Sequence, residues 1–127
     1  MNRRVVLTGL GCLSPIGSSV TECWDAVLKG KSGVSRSTQV DPEQFCCKVT
    51  AEVKNFDPSK FLPAKQIKKS DRFVQFAVAG SKLAIEDSKL DFSKEDPHQC
   101  GVLIGAGIGG LRTIEEQHKI LLEKGPS

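Results

Sequence analysis

The chain has no tyrosine, one tryptophan and one methionine, and its aromatic share is only 6%. That leaves little material for a stacking platform on single-stranded nucleic acid. Charge of one sign is also scarce. Eighteen basic residues against fifteen acidic ones give +3, too weak by itself to argue for nucleic-acid binding. No apolar run approaches the roughly 18 residues that a membrane span needs. The five cysteines (Cys12, Cys23, Cys46, Cys47, Cys100) show no CxxC spacing and cannot all pair, so no disulfide framework is expected. They read as reduced thiols in a cytosol-like compartment, and all five as small buried hydrophobes. Arg3-Arg4 ahead of the apolar run Val5 to Leu13 imitates a signal peptide. Thr8, Gly9 and Gly11 interrupt that run, however, and no small-x-small cleavage site follows cleanly. The expected location is cytoplasmic, with a plastid or mitochondrial matrix as the alternative.

What is present is an ordinary globular composition. Of 127 residues, 39% are hydrophobic, 26% are charged and 12 are glycine, which fits one domain or a piece of a larger one. Arg4-Val-Val-Leu-Thr8, running into Gly9-Leu10-Gly11, reads as a strand buried on both faces. Ser19-Val-Thr-Glu22 fits a capping box, Val20, Trp24, Val27 and Leu28 share one helical face, and Gly30 is a natural stop. Residues 31–62 are polar and turn-rich, with a short strand candidate from Cys47 to Val53. Asp57-Pro58 and Leu62-Pro63 bracket a helical turn. Ser70 then looks like an N-cap for a helix whose apolar residues, from Phe73 to Ile85, surround the axis. Such a helix is expected to be buried, and Gly80 inside it implies a close neighbour. Gly101-Val-Leu-Ile-Gly105 reads as a second buried strand, followed by Gly105-Ala-Gly-Ile-Gly-Gly110 and a helix carrying Leu111, Ile114, Ile120, Leu121 and Leu122. Alternation of buried strands with helices predicts an α/β fold, with too few elements here to close a core.

Four patterns could carry chemistry. Gly105-x-Gly107-x-x-Gly110 between a strand and a helix is the spacing of a dinucleotide-binding turn, and equally that of a tight turn under close packing. Glu115-x-x-His118 has di-iron spacing but lacks the second copy such a site needs; Glu115 and Glu116 read more simply as first-turn acids. Cys12, after a glycine turn, is the best placed of the cysteines for a nucleophile. Lys60, Lys65, Lys68, Lys69 and Arg72 against Asp71 set five cations against one carboxylate, a local +4. Lys65, Lys68 and Lys69 stand at i, i+3, i+4, so a helical turn would put them on one face. Arg72 would join them only if that turn ran past Ser70. The patch is either a solvated surface or a dock for an acidic partner.

The ordered set of segments resembles the β-ketoacyl-[acyl carrier protein] synthases, especially the elongating synthase II type. The segments are Arg3-Arg-Val-Val-Leu-Thr-Gly-Leu-Gly11, Leu13-Ser-Pro-Ile-Gly17, Lys31-Ser-Gly33, Val53-x-x-Phe56-Asp57, Ser70-Asp-Arg-Phe73 and Ile104-Gly-Ala-Gly-Ile-Gly-Gly110. Glu115-Glu-Gln-His118, leading to Lys124-Gly-Pro126, completes the set. The resemblance runs over essentially all 127 residues and covers about the first third of such an enzyme. It implies an α/β, thiolase-like layered αβαβα fold, of which residues 1–127 are an N-terminal segment and an incomplete domain.

It also implies fatty-acid elongation by decarboxylative Claisen condensation of malonyl-carrier with an acyl thioester. The implied partners are acyl carrier protein, the malonyl and acyl thioesters and a second subunit in a homodimer; no nucleic acid, membrane, metal or other cofactor is expected. The family's nucleophile sits in a Thr-Ala-Cys context found at none of the five cysteines, and His98 and His118 do not match its histidines, so no catalytic residue is assigned. Lys65, Lys68 and Lys69 match the carrier-docking patch, with Lys68 where arginine is common. Gly107 and Ile108 match the acyl-pocket lining, where an isoleucine can gate chain entry. Leu111 and Ile114 match the helix near the pocket and dimer interface, with Arg112 where a small residue is common. A polyketide ketosynthase and a non-catalytic chain-length factor would share this segment. A dinucleotide-binding domain is the alternative of another class.

Overall fold

Capping chemistry sets the first helix. In the computed structural model, which describes residues 3–126, α1 spans Val20–Leu28 and the Ser19 hydroxyl accepts the Glu22 amide at 3.2 Å. The reciprocal half of the capping box falls one residue early, because the Glu22 carboxylate accepts the Ser18 amide, at 2.7 Å, instead of that of Ser19. At the other end Gly30 has φ +61°. Its amide bonds the Val27 carbonyl at 3.0 Å while the Lys31 amide reaches Ala26 at 2.9 Å. That pair of bonds is a Schellman motif, and its left-handed residue is one that glycine enters without strain. The face of α1 that packs is not the expected one. Ala26 is buried and Cys23 half-buried, whereas Val20, Trp24, Val27 and Leu28 are exposed.

A small hairpin follows. β1 (Val34–Arg36) pairs antiparallel with β2 (Val49–Ala51), Ser35 facing Thr50. The Cys47–Val53 candidate thus contains a strand, but its partner Val34-Ser-Arg36 is too polar to announce itself. Three-residue strands are marginal alone, and Glu52 reinforces them. Its carboxylate accepts the hydroxyls of Thr38, Ser37 and Thr50 and the Thr38 amide, the last two at 2.8 and 2.9 Å. Those donors, with the Thr38 hydroxyl foremost, hold the Glu52 carboxyl down at about 2.

Neither expected buried strand forms. Arg4–Thr8 and Gly101–Gly105 carry no ladder, and Val5, Leu7 and Leu103 are 92%, 87% and 96% exposed. A strand buried on both faces needs paired neighbours and covering helices. Among the described residues these two segments have no strand beside them. The apolar sequence is there; the pairing is not.

The first of these segments is engaged through its glycines. α3 spans Arg72–Ser88 and presents Gly80, Ala84 and Ser88 one helical turn apart. A Cβ on Gly9 would sit 2.6 Å from the Ser88 amide and collide with the Ala84 carbonyl. One on Gly11 would sit 2.8 Å from the Ala84 amide and collide with the Gly80 carbonyl. The Leu10 amide between them donates to Asp87 Oδ2 at 2.8 Å. The match is geometric. Two extended residues advance about 6.6 Å and four helical ones about 6.0 Å, so alternate glycines meet successive turns, running antiparallel to the helix. Gly80 does mark close packing, though its own Cβ position faces open space and its carbonyl makes the contact. The expected all-round burial of α3 is not seen: Gln75 and Ala79 are buried, while Phe73 is exposed.

The chain divides into two compact units. One runs to Asp57 and takes in Ala79–Leu90; the other comprises Pro58–Val78 and the residues from Asp91 onward. The second unit holds the helical turn at Pro58–Lys60 that the flanking prolines predict, then α2 (Ala64–Ile67) and α4 (Leu111–Lys124). Gly125, at φ +76°, ends α4. Glu115 and Glu116 lie beyond its first turn, contrary to the dipole reading, and Glu116 instead pairs with Arg112 at 2.8 Å.

Candidate functional site

Three local interactions hold the basic turn. After α2, Lys68 keeps helical angles (φ −66°, ψ −21°) and the Lys69 amide bonds the Gln66 carbonyl at 3.0 Å, so the turn includes all three lysines. Ser70 does not cap α3 as expected. Its hydroxyl turns back and donates to the Gln66 carbonyl at 2.8 Å. The buried Gln75 amide, reaching over from α3, donates to the carbonyls of Ile67 and Ser70 at 3.2 and 2.9 Å. These bonds satisfy carbonyls that the end of a short helix leaves unpaired. Lys65, Lys68 and Lys69 are exposed and, among the described residues, have no carboxylate within ion-pair distance. Arg72 is not on that turn. It opens α3, with its guanidinium 4.9 Å from the Phe76 ring.

Two residues past the lysines the chain grips the glycine loop. Asp71 accepts the Thr113 hydroxyl and approaches Gly110 so closely that a Cβ there would sit 2.6 Å from its carboxylate. The Phe73 ring lies where a Gly109 Cβ would be, at 2.8 Å. Gly110, at φ +74°, is also the left-handed N-cap of α4. So Gly109 and Gly110 are explained by this clasp, and the separate segments Ser70–Phe73 and Gly105–Gly110 meet in space. Gln75 and Thr113 carried no signal in the sequence, and Asp71 figured there only as the carboxylate among the cations and in the Ser70–Phe73 segment, because single polar residues at a helix start have many uses.

Gly107 and Ile108 lie in the loop leading to that clasp. Nothing stands within 4 Å of a Cβ at Gly105 or Gly107. Ile108 has φ +53° and is 78% exposed. A β-branched side chain in the left-handed region costs on the order of 1–3 kcal/mol. Leu111 and Ile114 follow on α4, both exposed. No strand leads into Gly105, so the loop lacks the strand-to-helix context of a dinucleotide turn.

All five cysteines are free thiols; Cys12 and Cys23 are half-buried, whereas Cys46, Cys47 and Cys100 are exposed, not buried as expected. The hydrogen bond that Cys12 donates to Cys23, with burial, pushes the Cys12 thiol above its usual range, unlike an activated nucleophile.

Comparison with known proteins defines the class. The solved ishigamide ketosynthase/chain length factor superposes on 98% of this chain at TM-score 0.84 with 30% identity, the chain covering 31% of it. A second, a type II PKS acyl-carrier protein in complex with its ketosynthase bound to the hexaketide, gives TM-score 0.77 and 28% identity over 98% of this chain and 33% of that one. The fold is therefore α/β and thiolase-like, that of the N-terminal portion of a ketosynthase. The family model of the beta-ketoacyl synthase N-terminal domain matches residues 2–126, and the chain belongs to that family. Among curated relatives, the 3-oxoacyl-[acyl-carrier-protein] synthase 2 of Synechocystis sp. is 45% identical over 125 residues, and that of Coxiella burnetii 47% over 124. Each alignment covers 98% of this chain, which spans 30% of the length of these relatives.

Proposed function

We propose that the chain is the N-terminal part of an elongating 3-oxoacyl-[acyl carrier protein] synthase. The whole enzyme joins malonyl-carrier to an acyl thioester by decarboxylative Claisen condensation, in fatty-acid synthesis. The observation that carries the reading is the 45% identity to the Synechocystis synthase across 98% of the chain. No catalytic residue is assigned to residues 1–127. Their part is docking and shaping: Lys65, Lys68 and Lys69 receive the acidic carrier protein, Gly107 and Ile108 line the acyl pocket, and Leu111 and Ile114 face the pocket wall and dimer interface. Support for docking is the hydrogen-bonded lysine turn, whose three lysines have no ion-pair partner among the described residues, since charges that already have partners cannot steer a new one. The exposed apolar face of α4 supports an interface, and five free thiols support a reducing compartment such as the cytosol.

The test is made in the complete enzyme. Reversing Lys65, Lys68 and Lys69 to Glu is expected to raise the KM for carrier protein by at least roughly tenfold at low salt and to flatten its salt dependence. Unchanged carrier kinetics at low salt would sink the docking assignment. A complete enzyme that forms no 3-oxoacyl product from malonyl- and acyl-carrier would sink the synthase reading.

The structural likeness to the ketosynthase/chain length factor favours one second reading, a polyketide ketosynthase or its non-catalytic partner. Repeated condensation without reduction of the product marks the first, and absence of decarboxylation the second.

A further inference from the structure

Cys12 and Cys23 are separated by 11 positions, yet their sulfurs are 3.3 Å apart. That is only about 1.3 Å longer than a disulfide bond. Ser14 Oγ lies 3.1 Å from the Cys23 sulfur, which in turn donates to the Gly17 carbonyl at 3.2 Å. Among the described residues no other two sulfurs lie within hydrogen-bonding distance. Cys23 stands in the first turn of α1, and Cys12 belongs to the unpaired segment that leads into the Ser14–Gly17 bridge. Cys12 also lines an open groove of about 360 Å³ between Leu10, Ser19, Val20 and Leu83.

We propose that Cys12 and Cys23 are a reversible redox pair that closes to an intramolecular disulfide on exchange with a small-molecule disulfide of the glutathione type. Cys12 loses its proton to solvent, slowly because its hydrogen bond to Cys23 favours the protonated thiol, and its sulfur then attacks the reagent's S–S bond. A mixed disulfide forms, and one thiolate leaves and takes up a proton. The Cys23 sulfur, deprotonated in its turn, attacks the Cys12 sulfur, forms the internal bond and expels the second thiolate, which is protonated likewise. Two electrons pass from the pair to the reagent, and two small thiols are released. The closed form staples the segment around Gly11 to the start of α1. Among the described residues Cys46, Cys47 and Cys100 make no sulfur–sulfur hydrogen bond, and they are expected to stop at the mixed disulfide.

The experiment equilibrates the full protein in glutathione buffers from reducing to oxidising, blocks free thiols by alkylation and maps the tryptic peptides. Cys12 and Cys23 fall on one peptide, residues 5–29, because Arg4 and Lys29 are consecutive cleavage sites. Under oxidising conditions that peptide is expected two hydrogens lighter with neither cysteine alkylated, in at least roughly tenfold excess over its glutathionylated form, because the partner sulfur acts at high effective concentration. Dithiothreitol should restore the doubly alkylated peptide. In C23S, Cys12 should stop as the mixed disulfide. The triple variant C46S/C47S/C100S should still close the bridge. A peptide that stays doubly alkylated while Cys46, Cys47 and Cys100 are modified overturns the proposal, and so does one carrying glutathione on both cysteines.

Discussion

Replacing Gly11 with alanine puts one methyl group where the chain crosses α3, and the structure sets the penalty. The new Cβ would stand 2.8 Å from the Ala84 amide nitrogen and 3.1 Å from the Gly80 carbonyl carbon, and would collide with that carbonyl's oxygen. Comfortable contacts begin near 3.5 Å, so the segment must retreat by at least about 0.7 Å, with helix backbone on the other side unable to yield. Such a retreat also strains the 2.8 Å bond from Leu10 to Asp87. Overpacking of this kind costs about 1–3 kcal/mol, and the lost bond adds about 1 kcal/mol. Gly80→Ala is the internal control. Its Cβ would meet nothing within 4 Å, and a helix-interior glycine exchanged for alanine gains about 0.5–1 kcal/mol. One contact therefore gives opposite signs on its two sides. Thermal unfolding of the purified protein, followed by circular dichroism, should show Gly11→Ala melting several degrees lower and Gly80→Ala melting a few degrees higher. If Gly11→Ala melts with the parent, or Gly80→Ala falls as far, the crossing is not packed as argued.

Two further outcomes are open to measurement. Ile108→Phe in the complete enzyme should lower turnover of long acyl chains by roughly tenfold or more while sparing short ones; equal loss at every length would refute a pocket role. Glu52 titrates at about 2 when folded, against about 4.3 for a free glutamate. Its contribution to stability is therefore present above pH 4.3 and lost as the pH falls from there toward 2. Denaturation midpoints of Glu52→Gln should be lower at neutral pH and flatter across that window, and a profile parallel to the parent's would contradict the stapling role.

Where one short signal sufficed, the sequence was legible. Ser19 and Glu22, Gly30, the prolines around residues 58–63, and the run from Leu111 to Leu122 all mark boundaries by chemistry that acts within a few residues. The lysine spacing was legible for the same reason, since i, i+3, i+4 is settled inside one turn. Val5 to Thr8 and Val102 to Ile104 read as strands because apolar runs imply burial, but strand formation needs partners, and periodicity is silent on whether they exist. Ser70 misled because its hydroxyl had two helix ends to choose from, and the α2 carbonyl won. Asp71, Phe73 and Thr113 were invisible as a clasp: the contact spans some forty positions, and no local pattern registers that.

The crossing of Gly9 and Gly11 over α3 behaves like a vernier. Two scales, one ruled about every 6.6 Å and the other about every 6.0 Å, agree at neighbouring marks and drift apart by about 0.6 Å with each further one. After about five marks the error is half a division, and a backbone atom that nested between turns would ride over one. Intimate contact between an extended chain and a straight helix is therefore short by arithmetic, whatever the sequence. The alternation here obeys that limit. Gly9 and Gly11 are the two marks in phase, and the next on either side, Leu7 and Leu13, carry full side chains.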